Sequence, residues 1–340
     1  GWFKEGLELF EKSAKFLEES LKDNDSKESE ETIIAKIESR AAKFSYRLGF
    51  YEKAKSLTEN SLSIFNKFNI KDEIAFCLNS LADISRTKGK FFDARDLYKK
   101  SLEIYTEINN KIGLAMVTSN LGNISYELGE YIEAKKLWQQ ALEIRRETKE
   151  PWGLAACLNN LANAAYQLGQ YTEVKQLHEE SLNIRREISD KMGIANSLNN
   201  LCLVSHALGN LEKAKEYQQE SLDIFKEIGD RSGLAIALNN LGNILCTMGK
   251  YQEAENYCLE SLHIRQEAGD KVGIAYTLNN LGLVYFHLKK PEFSQSRYNE
   301  ALKTAYEIKS TSLILDILVG LSELIKEKES FRPGDSVKVS

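Results

Sequence analysis

The sequence predicts an all-α fold, a right-handed α-solenoid of about sixteen helices, on three observations. A 40-residue repeat runs through the chain without slippage. Within each repeat the apolar residues fall three and four apart, the spacing of one helix face. Only three of the 340 residues are proline, where ordinary usage near 5% would give roughly 17, and proline is expelled from helix interiors.

The repeat is legible in whole phrases. Lys111-Ile-Gly-Leu-Ala returns as Lys191-Met-Gly-Ile-Ala, Arg231-Ser-Gly-Leu-Ala and Lys271-Val-Gly-Ile-Ala. Leu-Asn-Asn-Leu stands at 158–161, 198–201, 238–241 and 278–281. The span 230–268 shows how one unit divides. Asp230 can cap a first helix by accepting backbone N–H bonds. Leu234, Leu238, Leu241 and Ile244 form its apolar stripe. Gly249 stands where a helix C-terminus needs positive φ. Tyr251 opens a second helix that turns Ala254, Leu262 and Ile264 inward. Each helix is about 18 residues, roughly 27 Å. Ala235, Gly242, Ala254 and Ser261 recur as small residues, so paired helices can approach closely. A pair with one apolar face must stack on its neighbours.

The chain is thereby divided in order. Residues 1–30 read as a partial repeat and an acidic linker, the linker being 23–30, with no counterpart elsewhere. Seven 40-residue repeats fill 31–310. A capping helix is expected over 311–328, and 329–340 reads as a disordered tail. In the last repeat Lys289 replaces the loop glycine and Pro291 the aromatic; proline is tolerated in a first helical turn.

The segment Asn240-Leu241-Gly242-Asn243, followed by Gly249-Lys250-Tyr251-Gln252-Glu253-Ala254 and Glu260-Ser261-Leu262, resembles the tetratricopeptide repeat (TPR) pattern. The units exceed the usual 34 residues of that family. The Leu-Asn-Asn-Leu phrase and the extra length are similar to the TPRs of kinesin light chains, of Pins/LGN scaffolds and of bacterial STAND-type signalling ATPases. The opening Trp-Phe-Lys-Glu-Gly-Leu-Glu-Leu-Phe-Glu (2–11) is similar to the first helices of TPR regions that follow STAND modules. With the missing initiator methionine, this implies a region cut from a larger protein. An N-terminal effector domain, an ATPase or another, is then expected in the full-length chain.

The resemblance implies a binding surface. In a TPR solenoid the first helix of each unit lines a concave groove. That register places Asn79, Ser119, Asn159, Asn199, Asn239 and Asn279 along it, then Asp83, Asn123, Asn163 and Asn243 one turn on. Tyr46, Arg86, Tyr126, Tyr166, His206 and Phe286 follow. An amide offers two donors and an acceptor, enough to pair the backbone of an extended peptide, and aromatic rings supply apolar pockets. The same asparagines could instead satisfy one another between helices. The second of each pair, Asn160, Asn200, Asn240 and Asn280, is expected to do so. Lys36, Lys43, Arg47 and Arg86 gather toward the N-terminal end, where acidic groups or a carboxylate terminus could be received. Arg145, Arg185 and Arg265, on second helices, read as surface ion pairs of small individual worth.

Composition excludes several functions. The net charge of −5, from 45 basic and 50 acidic residues, is no polyanion-binding signature, so nucleic acid is not an expected partner. No apolar run reaches the ~18 residues of a membrane span. Five cysteines without a CxxC pair suit reduced thiols and a cytoplasmic setting. His178, His206, His263 and His287 occupy four different register positions, so no metal-ligand set recurs. There is no HExxH, GxSxG or GxxxxGK[ST]. Cys202 and His206 lie four apart, but nothing nearby would activate the thiol. No enzyme activity, metal or cofactor is expected. The reading is a non-catalytic interaction module that takes a protein or peptide ligand in the groove, as the sensor of a bacterial signalling or defence regulator. Two alternatives stand beside it: a sensor of a small ligand or short signalling peptide in a transcriptional regulator, and a scaffold that self-associates through its capping helices.

Overall fold

The computed structural model describes residues 2–20 and 27–330, which form sixteen α-helices and no strand. They fall into two compact units, Gly1–Ile184 and Arg185–Ser340. The first unit contains α1 (Trp2–Ser20), α2 (Lys27–Arg47), α3 (Tyr51–Lys67), α4 (Lys71–Thr87), α5 (Phe91–Glu107), α6 (Lys111–Glu127), α7 (Tyr131–Thr148), α8 (Pro151–Gln167) and all but the last turn of α9 (Tyr171–Glu187). The second contains α10 (Lys191–Ala207), α11 (Leu211–Ile228), α12 (Arg231–Thr247), α13 (Tyr251–Ala268), α14 (Lys271–His287), α15 (Pro291–Glu307) and α16 (Thr311–Ser330). From α1 to α8 in the first unit and from α10 to α16 in the second, each helix packs on the next in sequence, and Ser181 of α9 donates to the Ala155 carbonyl of α8. Two boundaries differ from expectation. Helix α2 starts at Lys27, so residues 27–30 are helical rather than linker. Helix α16 runs to Ser330, two residues into the expected tail; residues 21–26 and 331–340 lie outside the described residues.

Local signals account for the helix ends. Asp230 Oδ1 accepts the Ser232 amide at 3.1 Å, and Asp190 and Asp270 cap the amides of Gly193 and Gly273 at 2.9 Å. Gly249 takes φ +78° with open space about it, so its role there is conformational. Lys289, in the equivalent place, accepts φ +57°, a strain the surrounding helices hold.

Close approach between helices rests on two devices. The recurrent serine of the second helix is more than small. Ser101, Ser181, Ser221 and Ser261 donate to the carbonyls of Ala75, Ala155, Ala195 and Ala235, all at 2.7–3.0 Å in buried surroundings. The glycine in the first turn of α6, α8, α10, α12 and α14 leaves a slot for a side chain of the preceding helix. Tyr105 fills it at Gly113, Arg145 at Gly153, Arg185 at Gly193, Phe225 at Gly233 and Arg265 at Gly273. The arginine column is therefore not a set of surface ion pairs. These side chains are only 15%, 16% and 8% exposed and reach Glu150, Asp190 and Asp270 at 3.2, 3.2 and 3.7 Å. Burial pulls the pKa of Arg185 and Arg265 below the ordinary arginine value.

The slot gives a test of the packing. A methyl group at Gly113 would stand 2.5 Å from the buried Tyr105 ring. Gly113→Ala should lose about 1–3 kcal/mol of stability, the usual cost of overpacking, read as a lower urea midpoint with helical circular dichroism retained.

Candidate functional site

The first helices of the repeats are tied together by side-chain amides. Asn120 Nδ2 donates to Asn79 Oδ1 at 2.9 Å, and Asn160 Nδ2 to Asn123 Oδ1 at 3.3 Å. In the second unit Asn240 donates to Asn199 at 2.9 Å and Asn280 to Asn239 at 3.0 Å. Asn160, Asn240 and Asn280, the second asparagines of three of these phrases, thus bond between helices. In the first column the oxygens of Asn79, Asn199 and Asn239 are the acceptors, and Gln218 adds a 3.3 Å bond to Asn199; Asn160 instead reaches Asn123 of the column one turn on. Asn79 and Asn239 are buried; Asn159, Asn199 and Asn279 are half-buried. One turn on, Asn123, Asn163 and Asn243 are half-buried.

The following column forms a second ladder with the same offset of 41 residues. The Tyr46 hydroxyl lies 2.7 Å from Thr87 Oγ1, Arg86 donates to Glu127 at 2.8 Å, Gln167 to the Tyr126 hydroxyl at 3.3 Å, and His206 Nε2 lies 3.1 Å from Thr247 Oγ1. Tyr46, Tyr126 and Tyr166 also meet Tyr51, Tyr131 and Tyr171 edge-on at 5.2–5.7 Å. Members of this column therefore take part in inter-helix contacts. Tyr166 keeps 47% exposure, and Phe286 is half-buried.

In the first unit these residues open on a cleft of about 170 Å³ between α2 and α4, lined by Lys43, Tyr46, Arg47, Asn79, Asp83 and Arg86 among others. Asp83 Oδ1 accepts the Tyr98 hydroxyl at 2.5 Å and Oδ2 meets Asn79 Nδ2 at 3.5 Å. Burial raises the carboxyl above its ordinary range, against the opposing pull of Tyr98, Arg86 and Lys43. Desolvation likewise pushes Tyr98 up.

Sequence reasoning passed over an apolar element of the same face. Trp152 in the first unit, and Met192, Leu203, Ile236, Val272 and Tyr276 in the second, are 42–61% exposed on first helices. Their signal was present: α8, α10, α12 and α14 carry no Asp, Glu, Lys or Arg beyond their first residue, so their later exposed positions are uncharged.

The chemistry of the cysteines is inert. All five are free and buried. Burial pushes Cys77, Cys202 and Cys258 up to about 12 and Cys246 to about 11, so the thiolate needed for attack is suppressed. Among the described residues no three His, Cys, Asp or Glu side chains gather as a metal site, and no helix is long and apolar enough to cross a membrane.

Two outcomes test this geometry. Asn199→Ala strands the amides of Asn240 and Gln218 and should cost about 1–3 kcal/mol, well beyond the effect of Asn163→Ala, in urea unfolding. Asp83 binds its proton more tightly folded than unfolded, so its contribution to stability falls as pH rises from about 4. Asp83→Asn should therefore be more stable than the parent at pH 7, with the difference closing toward pH 4.

The tetratricopeptide repeat family matches residues 33–107, 113–187, 193–257 and 233–307. No curated protein sequence matches the chain. Among solved structures, the chain is similar to a Signal Transduction ATPase with Numerous Domains (STAND) protein with a tetratricopeptide repeat sensor from Pyrococcus horikoshii. The TM-score is 0.66 at 18% identity over 95% of this chain and 50% of that one, so the chain spans half the length of that protein. It is similar to BtubC (BKLC) from P. vanneervenii, with a TM-score of 0.56 at 21% identity over 66% of this chain and 92% of the other. A Rap protein complexed with Competence and Sporulation Factor gives a TM-score of 0.57 at 15% identity over 96% and 98%. These likenesses establish a shared fold. With family matches over most of its length and paired helices in the same register, the chain belongs to the tetratricopeptide repeat family, whose repeats fit a protein-interaction module.

Proposed function

We propose that the protein is a non-catalytic recognition module that takes a polypeptide segment on its first-helix face, as the sensor part of a larger regulator. The observation that carries this is the uncharged, partly exposed first-helix surface of the second unit, on α10, α12 and α14; α8 of the first unit has the same uncharged composition. Tyr166 on α8, and Met192, Leu203, Ile236 and Tyr276 on the second unit's first helices, supply apolar contacts beside half-buried amides. Exposed apolar residues rimmed by polar ones mark interaction surfaces. Asn163 and Asn243, one turn from the ladder, would donate to the carbonyls of the incoming backbone, while the rings hold its side chains.

Two likenesses support the sensor role. One is to a protein whose repeats are described as a sensor, the other to a Rap protein bound to Competence and Sporulation Factor. In this reading partner binding relieves or imposes inhibition on an attached effector domain. The buried, unpaired thiols suit a reducing cytoplasm.

The test is capture of partners from a lysate of the source cells by the immobilised chain. The comparison is a variant carrying Asn163→Ala, Tyr166→Ala, Asn243→Ala and Tyr276→Ala, none of which belongs to the amide ladder. Capture of the proteins that the parent retains should fall at least about tenfold with thermal unfolding unchanged. Equal capture by parent and variant would refute the assignment of this face.

A further inference from the structure

Where the first helix of a pair begins and the second ends, most repeats place bulky apolar residues. The last turn of the second helix carries Ile108, Ile188, Ile228 and Ile308 at one repeat position, all half-buried. The first turn of the first helix carries Ile112, Trp152, Met192 and Val272. The pair α12 and α13 is trimmed at both places: Ser232 and Ala268 stand there, and Ala268 is exposed. A cavity of about 190 Å³ opens between them, lined by Arg231, Ser232, Ala235, Ile264, Arg265 and Ala268, with Glu267 and Asp270. That is room for about six water molecules at roughly 30 Å³ apiece.

Arg265 sets the chemistry of this cavity. Its counterparts each hold an acid by a hydrogen bond, Arg145 to Glu150 and Arg185 to Asp190, both at 3.2 Å. Arg265 is the most buried of the three, yet it makes no hydrogen bond among the described residues. Asp270 Oδ2 stays 3.7 Å from its Nη1, and Asp270 Oδ1 is taken by the Gly273 amide at 2.9 Å. Its Nε is buried without a partner. A guanidinium carries five N–H donors, and burying such a charge with its donors unbonded is costly. The other acid of the lining is committed: Glu267 meets Arg231, and also His263 at 3.3 Å. An acceptor is therefore wanted beside Arg265, and hydrocarbon beside Ala235, Ile264 and Ala268.

We propose that this cavity of the second unit binds a small aliphatic carboxylate, of about six heavy atoms by its volume. The carboxylate accepts from the Nη groups of Arg265, a pairing that suits the planar fork of both partners, and the Ser232 hydroxyl can donate to it. The hydrocarbon lies against Ile264, Ala235 and Ala268. Glu267 and Asp270 in the same wall repel a second negative charge, so a monoanion fits where a phosphate dianion does not. The site is separate from the first-helix face and does not depend on a polypeptide partner there; it gives the second unit a small-molecule input of its own.

The probe is sodium butyrate, observed by saturation-transfer-difference NMR with the full chain at physiological ionic strength. Its signal should saturate with concentration. Butanol, the same chain without the charge, and inorganic phosphate, charge without the chain, should each bind at least about tenfold more weakly. Arg265→Met keeps a stem in the Gly273 slot and removes the donors, while Ala268→Phe refills the cavity from an exposed position. Each should weaken butyrate at least about tenfold, with helical circular dichroism retained. Ala268→Phe decides the matter if Arg265→Met does not fold. The four-alanine variant of the first-helix face should bind butyrate as the parent does, so this inference and the previous assignment fail separately. Absence of a saturable butyrate signal, equal binding of butanol or phosphate, or full binding by folded Ala268→Phe would overturn the inference.

Discussion

One amide hydrogen bond between successive first helices constrains much of what these units can do. A side-chain amide in a half-buried seam has few partners. If the neighbouring helix slides by one residue, donor and acceptor separate and both are stranded, which costs more than the bond itself contributes. The pairs Asn120–Asn79 and Asn240–Asn199, each 41 residues apart at 2.9 Å, therefore fix register as well as contact. The apolar stripes alone would tolerate slippage, since leucine beside leucine packs in several ways. The polar ladder selects one of them.

This commitment divides the asparagines between two duties. The oxygen of Asn199 accepts from Asn240 and Gln218, so that amide cannot offer an acceptor to a ligand without breaking the stack. One turn on, Asn123 accepts from Asn160, while Asn163 and Asn243 make no such amide bond among the described residues. A column of identical residues in the sequence thus holds unequal roles, set by which helix face each repeat position meets.

The fold was legible because two periods coincide: the helical period places the apolar residues, and the 40-residue period repeats the placement. Helix boundaries followed from Asp230 and Gly249 for the same reason. The arginine column was misread because Arg145, Arg185 and Arg265 look like solvated charges in isolation. Their burial depends on Gly153, Gly193 and Gly273 of the next helix, whose missing Cβ makes room for a guanidinium. Leu-Asn-Asn-Leu announced a polar seam but not which oxygen was used. The exposed Met192, Ile236 and Tyr276 were hidden by the assumption that apolar residues on such helices face the core.

Charge is separated within the repeats in a way that follows from burial. Second helices carry most of the ionic side chains, and their pairs with neighbouring helices, such as Lys111–Glu147 at 2.9 Å and Arg146–Glu180 at 2.9 Å, are exposed and individually weak. First helices from α8 through α14 are almost free of charge, because their amide seam would leave a buried ion uncompensated. Asp83 shows the cost: where Asn123, Asn163 and Asn243 place a neutral amide, its carboxyl is forced up by burial and leans on Tyr98.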